Sequence, residues 1–402
     1  MMKKIKGNIC APKGFVATGV HAGIRKNSSK SDLALIYSQV PAVAAGVFTL
    51  NQVRGAPVIL TEKHIKHGSL QAIVINSGNA NACTGKLGLQ HAEQMAEAVA
   101  TQFNIAACNV GVASTGIIGV TLPIENILNG IHSAASQLSL NGEAAAKAIM
   151  TTDTYAKHIA IELEIAGKTV KIGGIAKGSG MIHPNMATML GFITTDVAIG
   201  QHELQHALAL VNQTTFNMIT VDGDSSTNDM VLVLANGLAA NPKIDSIDSQ
   251  DWKIFFEGLV YVCTHLAKRI AQDGEGATKL IEVQVQGAVT AEQAQAAARA
   301  VCRSPLVKTA IFGEDANWGR IASALGGSGS LLDPLKLCIQ MGDLLLLNMG
   351  DPLPFAELSA KEMLKQKSVV MKIDLGVGES QATAWGCDLT YDYIKINASY
   401  RS

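Results

Sequence analysis

Apolar and polar positions alternate in short runs along much of this chain, and between those runs apolar residues recur every three or four positions. Period two marks a strand with one covered face, and a period near 3.6 marks a helix packed along one stripe. On that basis residues 1–25 are loop and short strand. Residues 33–50 read as a strand pair broken at Pro41, and 57–61 and 70–76 as further strands. A helix over 87–103 keeps Leu89, Ala92, Ala96, Val99 and Phe103 roughly on one face. Residues 110–119 form a strand running into a glycine-bearing turn, and helices are expected over 124–138 and 143–150. Runs 159–165 and 168–175 alternate on either side of Ala166-Gly167, the pattern of a hairpin. A strand follows at 190–195, then a helix over 201–216, a strand over 230–235, and a long helix over 251–272. Strands at 280–286, 307–312, 335–341 and 369–374, with helices at 290–302 and 316–325, complete an α/β text.

The two kinds of text meet at Lys177-Gly178-Ser179-Gly180-Met181-Ile182-His183-Pro184-Asn185-Met186-Ala187-Thr188-Met189-Leu190. Two glycines, a proline and an asparagine between apolar strands force a sharp turn. One hydroxyl, Thr188, follows the small Ala187. A strained turn that pushes such an oxygen out of local packing suits a nucleophile. A buried threonine bonded to backbone explains the same residues without chemistry. Cutting the Ala187–Thr188 bond would give Thr188 a free α-amine, whose reference pKa of about 7.7–8.0 leaves it partly neutral at pH 7. That amine could then serve its own hydroxyl as base.

Other blocks carry polar residues where strands end. Asn76 to Gly85 crowds asparagines after an apolar strand, as functional loops and well-capped turns both do. Backbone N–H groups at Thr115 and Gly116 are candidates for an oxyanion hole, although most glycine turns are only turns. Thr151-Thr152-Asp153-Thr154 ends a helix and either binds substrate or caps. His202-Glu203-Leu204-Gln205-His206 matches the HExxH zinc pattern. Yet Leu204, Ala207, Leu208 and Val211 form the inward face, leaving both imidazoles on a solvated one. A third ligand would have to come from Asp222, Asp224 or Asp229. The Asp222-x-Asp224-x-Ser226 run lacks the glycine and the twelfth-place acid of a calcium loop.

Composition narrows the class. The 402 residues suffice for two or three domains; 48% are hydrophobic but only 4% aromatic, a small-residue core suited to tight layers. A net charge of −1 without basic runs excludes a nucleic-acid field. Seven scattered cysteines without a CxxC fit reduced thiols in a cytoplasmic protein. No apolar run follows the basic 1–6 segment and none is long enough for a bilayer, so neither a secretory leader nor a membrane span is expected.

Taken together, the blocks at 76–85, 114–116, 151–154, 177–190, 222–229, 274–279 and 397–402 resemble, in order and along essentially the whole chain, the ornithine acetyltransferase family of arginine biosynthesis. That resemblance implies a layered α/β (α+β) sandwich with sheets packed between helices. It implies a precursor cut between Ala187 and Thr188 into residues 1–187, with the oxyanion-hole and substrate loops, and 188–402, which would stay together as a heterotetramer of two each. Thr188 would be the nucleophile and Thr115 and Gly116 the oxyanion hole. Lys177, Thr188, Glu275, Asn397, Ser402 and one threonine of 151–154, with Thr154 favoured, would bind substrate. The implied reaction is acetyl transfer from N2-acetyl-L-ornithine to L-glutamate through acetyl-Thr188, with no metal and no cofactor. Whether acetyl-coenzyme A is also a donor stays open. A related self-cleaving aminopeptidase, a zinc peptidase and a non-catalytic binding protein are the alternatives.

Overall fold

The computed structural model describes residues 2–26, 28–183 and 189–399. In chain order, strands β1 (Lys3–Ile5), β2 (Phe15–Val20) and β3 (Leu33–Phe48) lead into helix α1 (Ala56–Ile65), β4 (Ser69–Asn79), α2 (Gly85–Phe103) and β5 (Val110–Ile117). Then come α3 (Ile124–Ser136), α4 (Gly142–Ala148), β6 (Lys157–Ile165), β7 (Lys168–Lys177), β8 (Leu190–Thr195), α5 (Gln201–Thr214), β9 (Met230–Ala235) and α6 (Gln250–Gln272). The chain continues through β10 (Leu280–Ala288), α7 (Ala291–Arg303), α8 (Pro305–Phe312), α9 (Trp318–Gly326), β11 (Cys338–Met341), β12 (Leu344–Asn348), β13 (Asp351–Pro352), α10 (Glu357–Leu364), β14 (Ser368–Asp374), β15 (Ser380–Cys387) and α11 (Tyr391–Ser399).

Among the described residues these strands make two sheets. One has nine strands in the order β1-β6-β7-β8-β9-β3-β4-β5, with β2 on β3; the other has six, ordered β13-β12-β11-β14-β10-β15. Helices α1, α2, α3 and α4 pack on the first sheet, α5 packs on β3 and against α6, and α6 touches both sheets; α7 packs on the second. The largest core runs through both sheets, with Ile161, Ile172, Ile193 and Val231 meeting Phe255, Leu259 and Leu266 of α6 and continuing to Val283 and Val301. The layered α/β sandwich read from the sequence is the fold adopted.

Strand order interleaves the two halves of the chain. Strands β8 and β9 come after position 188 in sequence, yet they lie between β7 and β3, which come before it. Strand β7 pairs antiparallel with β8, β8 parallel with β9, and β9 antiparallel with β3. The second half of the chain is therefore wedged into the sheet of the first half.

Two segments read as strands are helices. Residues 57–61 belong to α1, where proline occupies the first turn and its missing N–H costs nothing. Residues 307–312 belong to α8, again opened by a proline, with Ser304 Oγ accepting from Val307 N at 3.3 Å. Pro41 does not split β3; the strand continues past it with a shift in pairing register between Tyr37 and Ala42. In α2 the buried stripe is Ala92, Met95, Ala96 and Val99, while Leu89 is exposed. The Ala166-Gly167 hairpin forms as expected, with both residues at positive φ.

Candidate functional site

The polar blocks converge on one cavity of about 470 Å³. Thr115 and Gly116 reach it from the end of β5, Lys177 from the end of β7, Met189 and Leu190 from the start of β8, Asp229 from the residue before β9, and Glu275 from just beyond α6. Thr151, Thr152, Asp222, Asp224 and Asn397 add to its polar lining. β7 finishes and β8 and β9 begin at one end of the nine-stranded sheet, and the end of β5 reaches the same cavity.

Gly116 has a positive φ of 133°, and a Cβ there would fall 2.3 Å from the carbonyl carbon of Gly78, so this turn requires glycine. The neighbouring loop is held by amide side chains. Asn228 Nδ2 donates to Ala80 O at 2.5 Å and Ser114 O at 3.0 Å, and Ser114 Oγ donates to Asn76 Oδ1 at 2.5 Å. In the Asn76–Gly85 block, Asn76, Asn79 and Asn81 are buried. They spend their amides on backbone groups, and Ala80 is the member of that block that lines the cavity.

Lys177 is buried and its Nζ donates to Thr115 Oγ1 at 3.3 Å. Burial lowers the ammonium's pKa, with Asp153 opposing and Lys157 adding to the effect. Glu275 is also buried; its N–H donates to Ser179 O at 2.8 Å, and its Oε2 accepts from Asn397 Nδ2 at 2.8 Å. A cation and an anion thus stand in one small cavity, suited to the carboxylate and ammonium ends of an amino acid. Asp229 is 3% exposed and its Oδ2 has no hydrogen-bond partner. Burial lifts its pKa well above the ordinary carboxylate range, opposed by hydrogen bonding to Ser226 and the charge of Lys177.

A buried ionic knot braces the site from behind. Lys157 Nζ lies 2.7 Å from Asp153 Oδ1 and 2.5 Å from Asp273 Oδ2. Asp153 also accepts from Gly178 N at 2.7 Å and Thr151 N at 3.0 Å. Burial alone would raise the Asp153 pKa; Lys157, Lys177 and the Gly178 N–H outweigh it and bring the carboxyl down to about 2. On the other wall Asp222 accepts from Met181 N at 2.6 Å and Ile182 N at 2.8 Å, fixing the backbone of these two residues. His183 Nδ1 sits 3.1 Å from Thr220 Oγ1, and its pKa is lowered to about 4 by burial and by Arg303 and Arg299.

Of the residues singled out in the sequence, Thr115, Gly116, Lys177, Glu275 and Asn397 come together here. Thr154, the threonine favoured from the sequence, stands outside the cavity. Its Oγ1 donates to Asp273 Oδ1, its N–H donates to Asp273 Oδ2 at 3.0 Å, and it lines a separate hollow with Tyr155 and Lys395. Thr151 and Thr152 face the cavity instead, and Thr152 Oγ1 is 2.7 Å from Ser179 Oγ. Ala187, Thr188 and Ser402 lie outside the described residues. In the HExxH run, His202 Nδ1 lies 3.2 Å from Glu203 Oε1, and His206 stacks on His202 and lies tilted against Trp252. Among the described residues no group of three or more His, Cys, Asp or Glu is placed to hold a metal.

Lys157 and Asp273 went unmarked in the sequence. A signal was present: Lys157 shares the inward phase of Ile159, Ile161, Leu163 and Ile165, and a lysine in that phase needs buried counter-charges. Tyr393, whose hydroxyl is 3.4 Å from Asp222 Oδ2, had no such signal.

A model of the ArgJ family matches residues 16–402. The arginine biosynthesis bifunctional protein ArgJ of Symbiobacterium thermophilum is 56% identical over 403 residues, spanning 100% of both chains. That of Oceanobacillus iheyensis is 53% identical over 397 residues, covering 98% of this chain and 97% of its own. A crystal structure of the arginine biosynthesis bifunctional protein argJ from Bacillus halodurans aligns with a TM-score of 0.52 at 48% identity, over 53% of this chain and 100% of that one. With a matching model over nearly its full length and relatives this similar end to end, the chain belongs to the ArgJ family.

Proposed function

We propose that this enzyme moves the acetyl group of N2-acetyl-L-ornithine to L-glutamate through an ester on Thr188, after cutting itself between Ala187 and Thr188. The observation that carries the reading is the cavity. It sets Lys177 and Glu275, two candidate oxyanion donors and the residue directly after Thr188 around one space of amino-acid size.

In the cut, Thr188 Oγ1 attacks the Ala187 carbonyl carbon, the C–N bond breaks, and water hydrolyses the resulting ester. The products are an Ala187 carboxylate and a free Thr188 α-amine. In the transfer, Oγ1 attacks the acetyl carbonyl while that amine takes its proton, and the oxyanion is met by the N–H groups of Thr115 and Gly116. The amide C–N bond breaks, the departing ornithine amine receives the proton, and acetyl-Thr188 remains. The glutamate amine then attacks this ester, giving N-acetyl-L-glutamate and restoring the hydroxyl. Lys177 suits the carboxylate shared by both amino acids, and Glu275, held by Asn397, suits the δ-ammonium of ornithine. No step calls for a metal or a cofactor. The name shared by the relatives, a bifunctional protein, supports acetyl-coenzyme A as a second donor feeding the same ester.

One comparison supports the cut. The Bacillus halodurans chain is matched along its whole length by 53% of this chain, and residues 188–402 are 215 of 402, the same fraction. Each pair of pieces would remain joined and associate further into the heterotetramer.

The test is a denaturing gel with intact mass, run beside an acetylornithine assay with and without glutamate. Two pieces meeting at 187/188, and acetylornithine consumption that needs glutamate, are expected. Thr188→Ala should give one uncut chain with no transfer. Hydrolysis without glutamate would favour the aminopeptidase reading, and a single chain that still transfers acetyl groups would overturn the mechanism.

A further inference from the structure

Six arginines lie among the described residues, and four are anchored. Arg25 donates to Ser77 Oγ and Met150 O, and Arg54 pairs with Glu62 at 2.7 Å. Arg269 lies 4.2 Å over the Tyr155 ring and donates to Gln272, and Arg320 donates to Leu306 O at 2.9 Å. The remaining two, Arg299 and Arg303, carry no ion pair and no hydrogen bond among the described residues. They are one turn apart on α7 and therefore share a face.

Their place is the rim of the cavity. Arg303 Cδ and Cγ lie 3.5 Å from where a Cβ on Gly223 would stand, and Gly223 sits between Asp222 and Asp224, both of which line the cavity. Both guanidinium charges act on His183, which follows the lining residue Ile182. Neither arginine lines the cavity itself.

We infer that Arg299 and Arg303 form a phosphate-recognition pair that holds the nucleotide end of an acyl-thioester donor whose acetyl end enters the cavity. Two like charges at i,i+4 without a counter-ion cost stability on their own, so the arrangement favours an anion between them. Arg299 is partly buried beside its twin, which makes an incoming anion more valuable there than on open surface. His183, held neutral, adds no positive charge to the pair; Asp224, next to Gly223, forms no ion pair with either. Position separates the ligand classes. A free amino acid fits inside the 470 Å³ space and does not need groups beyond its rim. A donor carried on a nucleotide overflows it and presents phosphates outside, where planar forked donors bind them best.

This inference rests on the acetyl-transfer reading, and the experiment separates the two. Coenzyme A, which binds but carries no acetyl group, is titrated by calorimetry into the mature wild type and into the Arg299→Gln/Arg303→Gln double variant. KM and kcat are then measured for acetyl-coenzyme A, for the phosphate-free short thioester S-acetyl-N-acetylcysteamine, and for acetylornithine, each with glutamate. The double variant should lose about 10- to 100-fold in coenzyme A affinity and in KM for acetyl-coenzyme A, with kcat little changed. Transfer from acetylornithine and from the short thioester should match wild type, and a Lys/Lys variant should recover part of the loss. Wild type that does not bind coenzyme A, a variant that binds it equally well, or a parallel loss with all three donors overturns the inference. If coenzyme A binding needs the arginines but no acetylornithine transfer occurs in wild type, the pair stands and the proposed reaction falls.

Discussion

Replacing Lys157 with methionine isolates the ionic knot behind the cavity. Lys157→Met keeps an unbranched apolar stem and removes the ammonium. The Lys157 side chain is 0% exposed, and those of Asp153 and Asp273 are 0% and 3% exposed, so neither carboxylate can turn to water. Breaking a buried pair from one side costs about 3–5 kcal/mol. Unfolding entropy of about 2.1 cal/mol/K per residue over this chain gives about 0.8 kcal/mol/K, so Tm should fall by about 4–6 °C near pH 7.5. The pH dependence is the sharper test. In the wild type Asp153 is drawn from 3.8 to about 2, because Lys157, Lys177 and the Gly178 N–H outweigh the burial that would raise it. A carboxylate depressed in this way contributes about 2 kcal/mol that is present above pH 4 and lost as pH falls towards 2. Without Lys157, the two neighbouring carboxylates face burial with only Lys177 and the Gly178 N–H left to oppose it, and one carboxyl of the pair should keep its proton. That raised group removes stability as pH rises from 4. The gap between variant and wild type should therefore be widest at pH 7.5 and shrink towards pH 4.5. Thermal and urea unfolding at the two pH values measure it. An equal gap at both, or none at pH 7.5, would refute the account. Acetyl transfer should fall as well, since Asp153 holds Gly178 beside Lys177, and Asp273 precedes the Gly274-Glu275 turn.

Three further outcomes are expected. Gly116→Ala places a methyl 2.3 Å from Gly78 C and 2.5 Å from Asn79 N, so the Thr115-Gly116 turn must move; kcat for acetylornithine should fall by about 10²-fold or more, and a rate within threefold of wild type would rule out these donors. Burial raises the Asp229 carboxyl, so it takes stability away as pH climbs above about 4; Asp229→Asn should gain in Tm over wild type from pH 5 to pH 8, whereas a constant difference would mean Asp229 does not titrate there. Once cut, residues 1–187 and 188–402 should co-elute on gel filtration without denaturant, because β8 and β9 are clasped between β7 and β3; separate peaks would contradict the sheet order.

Much of the fold was written locally. The hairpin at Ala166-Gly167, the long α6 and the strand β9 follow from period and turn chemistry, which depend on neighbours a few residues away. The segments opened by Pro57 and Pro305 did not. Short apolar runs suit either a buried strand or a helix, and only packing chooses between them.

The candidate site divides the same way. The glycine-bearing turn after a strand marked Thr115 and Gly116 by its own chemistry, whereas Lys177, Glu275 and Asn397 were marked by the family resemblance of their sequence blocks; all five line the cavity. Sequence alone could not choose among Thr151, Thr152 and Thr154, since consecutive residues in a turn point in different directions and only the fold says which way the cavity lies. Nor could it join Asp273 to Lys157, 116 positions away, or set Arg299 and Arg303 beside His183. Those neighbours are made by strand order and helix packing, and such long-range contacts exist only once the backbone entropy of the intervening chain has been given up.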